Sequence, residues 1–216
     1  MSITQKIVTL SNKITSRFRA KLYKDYSKLN FEDRHVQNLV SLKDREELLR
    51  RLPKNGTIAE IGVYKGDFSE KILSICQPKK FLLIDAWHQV QDHDAIYDEV
   101  KKRFGSAIDT KQVELIREFS FAAIHSCPDQ YFDWVYLDTD HSLKVTQREL
   151  EELRPKMKPD GIIAGHDYIL GNWNGGFRYG VIEAVREFCL KYNWEMIFLT
   201  HELDVHPSFA IRAIKN

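Results

Sequence analysis

Two short segments place metal-binding and proton-accepting side chains at the ends of predicted strands. YLDTDHS contains Asp138 and His141, and AGHDY, further along the chain, contains His166 and Asp167. A carboxylate that ends a buried parallel strand faces the cleft beyond the carboxyl edge of the sheet. Asp138, His166 and Asp167, whose side chains are of types that can bind metal ions, are therefore predicted to converge. Since one of them is an imidazole, the set suits Mn²⁺, Fe²⁺ or Zn²⁺ better than Mg²⁺, which prefers oxygen.

The histidines are also candidates for general acid–base chemistry. An unperturbed histidine has a pKa near ~6.5, which suits proton removal at neutral pH. His141 stands three positions after Asp138, and His166 is the competing base. Two alternatives involve neither a metal nor catalysis. In one, Asp140, His141 and Ser142 form a helix N-cap cluster; in the other, the Asp and His side chains hydrogen-bond each other.

A glycine turn after an earlier strand predicts a ligand-binding loop. In AEIGVYKGDFS, Glu60 precedes Gly62, and Gly66 closes the turn before a helix begins. Such a turn lets a ligand approach backbone amides, although tight packing alone gives the same pattern. The segment lacks the G-x-G-x-x-G spacing of dinucleotide sites. Asp85 ends the next apolar run, FLLIDAW, where a carboxylate can accept both hydroxyl hydrogen bonds of a ribose.

These segments require a sheet that brings strand ends to one edge. Short apolar runs alternate with helical stretches, which is typical of a mostly parallel α/β sheet with helices on both faces. The predicted strands are 57–61, 80–85, 112–116, 132–138, 161–166, 194–200 and 208–214. The predicted helices are 41–51, 66–76, 92–104, 118–126, 142–156 and 179–192. HELDVHP joins the last two strands and is too short for a helical crossover, so these strands must pair antiparallel.

The glycine turn, LDTDH, GHDY and seven strands with an antiparallel C-terminal hairpin resemble the class I S-adenosylmethionine-dependent methyltransferases, specifically a small-molecule O-methyltransferase-like group. The resemblance implies a Rossmann-like seven-stranded sheet and S-adenosylmethionine as the cofactor. It also implies a set of cofactor contacts: Glu60, Gly62, Gly66, Asp85, Trp87, Ser120, Phe121 and Asp138. For Ser120 and the aromatic residues, helix capping and core packing are equally good interpretations.

The resemblance extends to chemistry. In metal-dependent relatives, the positions of Asp138, His166 and Asp167 hold a divalent ion that orients an acceptor hydroxyl and lowers its pKa. The position of His141 often holds the general base. A metal ion (Mg²⁺, Mn²⁺ or Fe²⁺) is therefore expected as a second cofactor. His166 departs from the ligand pattern of these relatives, because it is an imidazole and not a carboxylate. Methyl transfer from a sulfonium is an in-line displacement, so the enzyme mainly aligns the acceptor oxygen and removes one proton.

The segment ILGNWNGGFRYG directly follows GHDY and is predicted to cover the site as a lid. Its Trp173, Arg178 and Tyr179 are the candidate acceptor contacts. Arg178 would hold a carboxylate or phosphate of the acceptor, and the alternative is an unspecific surface arginine. The predicted site therefore joins a cofactor loop, a metal or acid–base cluster, and a lid.

The amino-acid composition indicates which partners and which cellular compartment to expect. Thirty-two basic against thirty-one acidic side chains give a net charge of +1, which offers no reason to expect nucleic acid as the substrate. No apolar run approaches the ~20 residues that span a bilayer, and three scattered cysteines indicate neither disulfides nor zinc, so a cytoplasmic protein is expected. Residues 1–40 form a predicted basic helical extension that packs on the domain or favours a homodimer, with a membrane-surface or targeting role as the alternative. Residues 41–216 form the predicted methyltransferase domain.

The leading hypothesis is an enzyme that moves a methyl group from S-adenosylmethionine to a hydroxyl of a small molecule, such as a sugar or a natural-product intermediate. No N-P-P-Y-like segment follows the fourth strand, so the resemblance does not extend to the nucleic-acid and protein N-methyltransferases that use one. Two alternatives stay open. They are a metal-dependent oxidase or hydroxylase on the same fold, and a non-catalytic S-adenosylmethionine-binding module.

Overall fold

The computed structural model describes residues 2, 5–7, 9–11, 13, 15–17, 29–88, 92–172, 177–202 and 206–215. The chain divides into two compact units, Met1–Asn30 and Phe31–Asn216. In the first unit, the described residues from 5 to 17 are helical. The second unit begins at Phe31, which packs against its core, and His35 in the same unit is fully buried.

The second unit alternates strands and helices. Its described strands are β1 (Val40–Leu42), β2 (Thr57–Ile61), β3 (Lys80–Asp85), β4 (Val113–Arg117), β5 (Phe132–Leu137), β6 (Met157–Gly165), β7 (Gly171–Asn172), β8 (Phe177–Arg178), β9 (Trp194–Thr200) and β10 (Phe209–Ala213). Its described helices are α1 (Arg45–Arg51), α2 (Asp67–Cys76), α3 (His93–Arg103), α4 (Gly105–Asp109), α5 (Ser120–Ser126), α6 (Leu143–Leu153) and α7 (Val181–Tyr192). Within the part of the chain that the structure describes, no helix is long and apolar enough to cross a membrane.

Eight strands form one sheet in the order β1-β9-β10-β6-β5-β2-β3-β4. From β6 to β4, neighbouring strands pair in parallel. β10 inserts antiparallel between β9 and β6, with Phe209 opposite both Leu199 and Gly165. The predicted mixed α/β sheet and its antiparallel C-terminal hairpin are confirmed.

Both faces of the central strands of the sheet are buried, which explains why these strands are continuous apolar runs. Successive side chains of a strand point to opposite faces. In β2, Ala59 and Ile61 belong to one hydrophobic cluster, and Ile58 belongs to the other. The first cluster includes residues of α5, α6 and α7, and the second includes residues of α1, α2 and α3. The helices thus cover both faces, as a parallel sheet requires.

The sheet has one strand more than the seven that the sequence predicts. The pattern over 41–51 predicts one helix, whereas the structure has β1 followed by α1, with β1 pairing in parallel with β9 at the sheet edge. The side chain of Asp44 accepts the backbone N–H of Glu47 at 2.8 Å and caps α1. This cap fixes where the helix begins, because it satisfies a donor that the helix leaves free.

Candidate functional site

Gly62 follows β2 at a point where two strand ends almost touch. Its φ of +94° lies in the left-handed region, and a Cβ there would lie 1.9 Å from the backbone oxygen of Asp138. Gly66 also has a positive φ, +78°, and is the N-cap residue of α2. The sequence assigns both glycines to ligand approach. The structure adds a packing requirement at Gly62, since a side chain there would overlap the backbone.

Asp85 ties this glycine turn to the end of β3. Its Oδ2 accepts the backbone N–H groups of Val63 and Tyr64, each at 2.9 Å, and its Oδ1 accepts that of Trp87 at 2.7 Å. A carboxylate has about four acceptor positions, so about one is left for a ligand hydroxyl. In this conformation Asp85 can accept one ribose hydroxyl rather than the two that the sequence analysis assigns to it. Shaping the loop is its other role.

A cleft of about 420 Å³ opens beside this turn, and we call it the wide cleft. Six of the predicted cofactor residues line it: Gly62, Asp85, Trp87, Ser120, Phe121 and Asp138. Glu149 lines it as well, although no sequence pattern assigns it a function. The volume falls within the roughly 300–1,000 Å³ of small-molecule sites. The structure therefore gathers most of the predicted cofactor set around one cavity.

A second cleft of about 340 Å³ also borders Gly62. We call it the charged cleft, because basic and acidic side chains line it together: Arg45, Lys65, Glu60 and Asp67. Both clefts share four residues: Gly62, Tyr64, Asp85 and Asp138. Asp138 therefore lies where the two clefts meet.

Glu60, a predicted cofactor residue, is 2% exposed. Burial raises its pKa well above the usual value, while a hydrogen bond from the Ser69 hydroxyl acts in the opposite direction. The folded chain thus keeps Glu60 protonated over a pH range in which the unfolded chain ionises it.

We expect the substitution Glu60→Gln to stabilise the protein increasingly as the pH rises above the usual glutamate pKa of 4.5. The folded state of the wild type binds more protons than the unfolded state, so its stability falls as the pH rises from 4.5 toward the raised pKa. Glutamine is neutral throughout and keeps an oxygen for Ser69. Thermal melts of both proteins from about pH 5 to about pH 8 measure this effect. A constant difference in melting temperature across that range would contradict it.

Beside the wide cleft, His141 joins two carboxylates. Its Nε2 atom lies 3.0 Å from Oδ1 of Asp138 and 2.7 Å from Oδ2 of Asp167. His166 is farther away, with Nδ1 at 3.5 Å from Asp167 and 3.8 Å from Asp138. The sequence predicts Asp138, His166 and Asp167 as metal ligands. In the structure, the described groups whose donor atoms lie within 4.8 Å of one another are Asp138, His141 and Asp167, so His141 takes the place of His166 in the compact set.

The structure agrees only in part with the alternative that Asp140, His141 and Ser142 form a helix N-cap cluster. Ser142 is the N-cap residue of α6, but its side chain makes no capping hydrogen bond. Asp140 accepts the backbone N–H of Ser142 at 3.1 Å, while His141 turns toward the carboxylates. His141 and Asp167 have φ values of +63° and +57°. Left-handed conformations of residues other than glycine cost energy and cluster at functional sites.

The charges within the cluster shift the pKa values of its members. Burial lowers the pKa of His141, but hydrogen bonds to Asp138 and Asp167, together with their charges, outweigh it and raise the pKa to about 9. Burial opposes the ionisation of Asp167, yet His141 and His166 hold its pKa well below the usual range. At neutral pH the cluster without a ligand therefore contains an imidazolium between two carboxylates.

His206 belongs to the site, although the sequence analysis does not predict it. Its Nδ1 atom hydrogen-bonds to Oδ1 of Asp167. Its ring stacks against His166 with 6.3 Å between centroids and meets Tyr179 edge-on at 5.7 Å. His206 lies in HELDVHP shortly before β10, whose Phe209 lies opposite the residue before His166, and this pairing brings His206 to the site. Nε2 of His166 is buried and has no hydrogen-bond partner among the described residues.

The structure places the three predicted acceptor contacts in different surroundings. Trp173 lies outside the described residues. Tyr179 packs against His141 with 4.9 Å between ring centroids, so it borders the cluster. Nη2 of Arg178 pairs with Oε2 of Glu183 at 2.7 Å, and the Glu183 side chain is 2% exposed. This buried ion pair gives Arg178 a structural role that competes with the predicted binding of an acceptor anion.

Comparison with known proteins gives one family and a common fold. The family described as "Methyltransferase domain" matches residues 59–168, more than half of the chain. A search of curated proteins gives no match. Similar solved structures include the pyocyanin biosynthetic protein PhzM, with 13% identity, a TM-score of 0.60, and coverage of 78% of this chain and 54% of that one. This chain thus spans about half the length of PhzM.

Two further structures are similar over most of both chains. A SAM-dependent methyltransferase from Aquifex aeolicus has 18% identity and a TM-score of 0.59, covering 80% of this chain and 91% of that one. SMU.1697c from Streptococcus mutans, solved in complex with SAH, has 12% identity and a TM-score of 0.56, covering 79% and 96%. At these identities the likeness concerns the fold.

The matched range contains most of the site. It includes the glycine turn, Asp85, and the three residues of the compact cluster, and it ends just before the segment that carries Tyr179. Together with the Rossmann-like sheet, the match supports the prediction of S-adenosylmethionine as the cofactor. Through residues 59–168, this chain belongs to the methyltransferase domain family.

Proposed function

We propose that this protein transfers a methyl group from S-adenosylmethionine to a hydroxyl group of a small molecule, with the assistance of a divalent metal ion. One observation carries the proposal. The cluster of Asp138, His141 and Asp167 shares Asp138 with both clefts beside the glycine turn. An acid–histidine cluster at the edge of a cofactor-sized cavity suits a reaction that must deprotonate and align one oxygen.

The described residues fit S-adenosylmethionine. Asp85 keeps an acceptor position for a ribose hydroxyl, and the wide cleft offers Phe119 and Phe121 as aromatic neighbours of a base. The charged cleft is lined by Arg45 and by Asp67, so both signs of charge are available to the amino and carboxylate groups of a methionine moiety. When bound, the cofactor would supply an electrophilic methyl group on a sulfonium.

The cluster also fits a divalent cation. Its donor atoms lie 2.7 and 3.0 Å apart, close to the roughly 3 Å between neighbouring ligand atoms around an ion held at about 2.1 Å. Asp138, Asp167 and His141 would hold the ion, and His166 and His206 would support them. This mixed set favours Mn²⁺ or Fe²⁺ over Mg²⁺. When bound, the ion would lower the pKa of an acceptor hydroxyl.

Geometry favours His166 over His141 as the proton acceptor. Nε2 of His141 is already shared between two carboxylates. Nε2 of His166 is buried without a partner among the described residues, and a buried polar atom of this kind needs one. An acceptor hydroxyl at that atom would satisfy it. Tyr179, packed on His141, would then help to exclude water from the acceptor side.

The test is a thermal melt with S-adenosylhomocysteine, NAD⁺ or no nucleotide, each with EDTA, Mn²⁺, Fe²⁺ or Mg²⁺. S-adenosylhomocysteine at about 100 times its dissociation constant stabilises by ~2.7 kcal/mol, which raises the melting temperature by roughly 5–10 °C. We expect this rise with S-adenosylhomocysteine and not with NAD⁺, and a further rise with Mn²⁺ or Fe²⁺ that EDTA removes. No rise with S-adenosylhomocysteine, or a rise with NAD⁺ alone, would refute the cofactor assignment.

The acceptor class requires a turnover measurement. Protein, S-adenosylmethionine and Mn²⁺ are incubated with a panel of sugars and phenols, and mass spectrometry follows the methylated product and S-adenosylhomocysteine together. We expect both to appear in equal amounts with at least one hydroxylated compound. Oxygen-dependent product with the cofactor unchanged would indicate an oxidase instead. Methylation confined to amines or to RNA would refute the hydroxyl assignment.

A further inference from the structure

Glu149 is a buried carboxyl in the wide cleft that the proposed chemistry does not use. It lies on α6 and is 1% exposed. Charged residues are almost never fully buried unless they are paired. Across the described residues, no lysine or arginine forms an ion pair with it. Burial raises the pKa of its carboxyl, while the hydroxyls of Ser120 and Thr139 act in the opposite direction. A structural ion pair therefore does not explain its position.

The two oxygens of Glu149 have different surroundings. Oε2 accepts a hydrogen bond from the hydroxyl of Thr139 at 2.8 Å. Oε1 is buried and has no partner among the described residues. Leaving such an acceptor unsatisfied costs free energy, so buried polar atoms are nearly always paired, with water or ligand where protein is lacking. Because Glu149, Thr139 and Ser120 all line the wide cleft, a ligand in that cleft is the candidate partner.

The rest of the wide cleft indicates which ligand group would reach Oε1. Phe119 and Phe121 line it and offer aromatic surface to a flat ring, whereas Trp87 is 2% exposed and packs in the core. Asp85, the carboxylate that is predicted to bind a ribose hydroxyl, lines the same cavity. A nucleoside that places its ribose at Asp85 would therefore have its base among these aromatic side chains. The Thr139 hydroxyl already donates to the carboxyl, so Oε1 presents an acceptor to that base.

We propose that Glu149 selects a 6-aminopurine nucleoside by accepting an N–H of the exocyclic amino group at Oε1. The inference rests on the proposed function, because it concerns the adenine base of the same cofactor. Adenine carries a donor at position 6, whereas a 6-oxopurine carries an acceptor there, which a carboxylate oxygen repels. Glu149 is thus a specificity-determining residue, and Thr139 is the positioning residue that orients its carboxyl.

The experiment compares two probes that differ only at this edge of the base, S-adenosylhomocysteine and S-inosylhomocysteine, by isothermal titration calorimetry. We expect the wild type to prefer S-adenosylhomocysteine by roughly 10- to 100-fold, the cost of leaving a buried acceptor without its donor. In Glu149→Gln, the amide oxygen accepts the Thr139 hydroxyl, so the NH₂ group faces the base. This variant is expected to lose S-adenosylhomocysteine affinity by a similar factor and to prefer the 6-oxo probe.

The control is Glu151→Gln, on the same helix at an exposed position that pairs with Lys191. It should bind both probes like the wild type. Equal affinity of the wild type for the two probes would overturn the assignment without any variant, even if Glu149→Gln failed to fold. An unchanged preference in folded Glu149→Gln would overturn it as well. Either result, with S-adenosylhomocysteine still bound, leaves the proposed function intact; absence of binding to both probes would overturn the function and the inference together.

Discussion

Replacing Asp167 by asparagine is expected to reduce methyl transfer by roughly 10²- to 10³-fold while leaving the affinity for S-adenosylhomocysteine unchanged. Asp167 contacts His141, His166 and His206 and is 4% exposed. Its charge is therefore the common partner of three imidazoles. It lines neither the wide cleft nor the charged cleft, so cofactor binding has no direct contact to lose.

Asparagine is the appropriate replacement for two reasons. It keeps the size of the side chain, and it tolerates the left-handed backbone that Asp167 adopts with φ of +57°. Loss of activity then reports the missing charge and not a strained backbone. The matched control is Asp129→Asn, which removes a carboxylate whose side chain is 70% exposed and paired with Lys156 at the surface. Exposed ion pairs contribute little, so this variant should retain full activity.

The measurement combines calorimetry with S-adenosylhomocysteine and the rate of product formation on an acceptor from the panel. A rate within a few-fold of the wild type would exclude Asp167 from the chemical step. Loss of S-adenosylhomocysteine binding together with the rate would mean that Asp167 supports the fold of the cofactor site and not the reaction.

Replacing Gly62 by alanine is expected to destabilise the fold by about 3 kcal/mol or more. The added Cβ would lie 1.9 Å from the backbone oxygen of Asp138, and a methyl group cannot rotate away from backbone. The positive φ of +94° adds strain for any side chain. Relief requires the ends of β2 and β5 to separate, which would also displace Asp138 from the junction of the two clefts.

A loss of this size lowers the melting temperature by about 6–12 °C in a protein of this length. Circular dichroism melts measure it, and S-adenosylhomocysteine binding should weaken in parallel. Gly105→Ala serves as the control, because a Cβ there meets no atom within 4 Å and the residue begins helix α4. Alanine favours a helix over glycine, so the control should be neutral or slightly stabilised. Equal melting temperatures for the two variants would show that the close approach at Gly62 relaxes at no cost.

Strands were predictable from sequence where burial on both faces made them continuous apolar runs. Thr57–Ile61 and Lys80–Asp85 have the predicted limits, because glycine and charged residues bound them. β1 was not predictable, since two of its three residues are exposed and it has no apolar run. Its existence depends on pairing with β9, far away in sequence.

Candidate site residues were predictable at the ends of parallel strands, because these ends meet at one edge. Asp85, Asp138 and Asp167 are examples, and the wide cleft and the compact cluster use them. His206 was missed because its position depends on how β10 enters the sheet, which local pattern does not encode. The sequence analysis does not single out Glu149, because several other charged residues lie close to it in the sequence. Its spacing from Thr146 and Leu153, the buried face of α6, was the available signal.

The order of the strands has a consequence for synthesis on the ribosome. β10 follows all other described strands along the chain, yet it fills a position between β9 and β6. Until it emerges, β6 keeps an open edge, which is a template for incorrect pairing. His206 emerges just before β10, whereas every residue of the wide cleft has left the ribosome long before. A nascent chain could therefore assemble its nucleotide-sized cavity while its cluster of imidazoles is still incomplete, so that ligand capture would precede competence for chemistry.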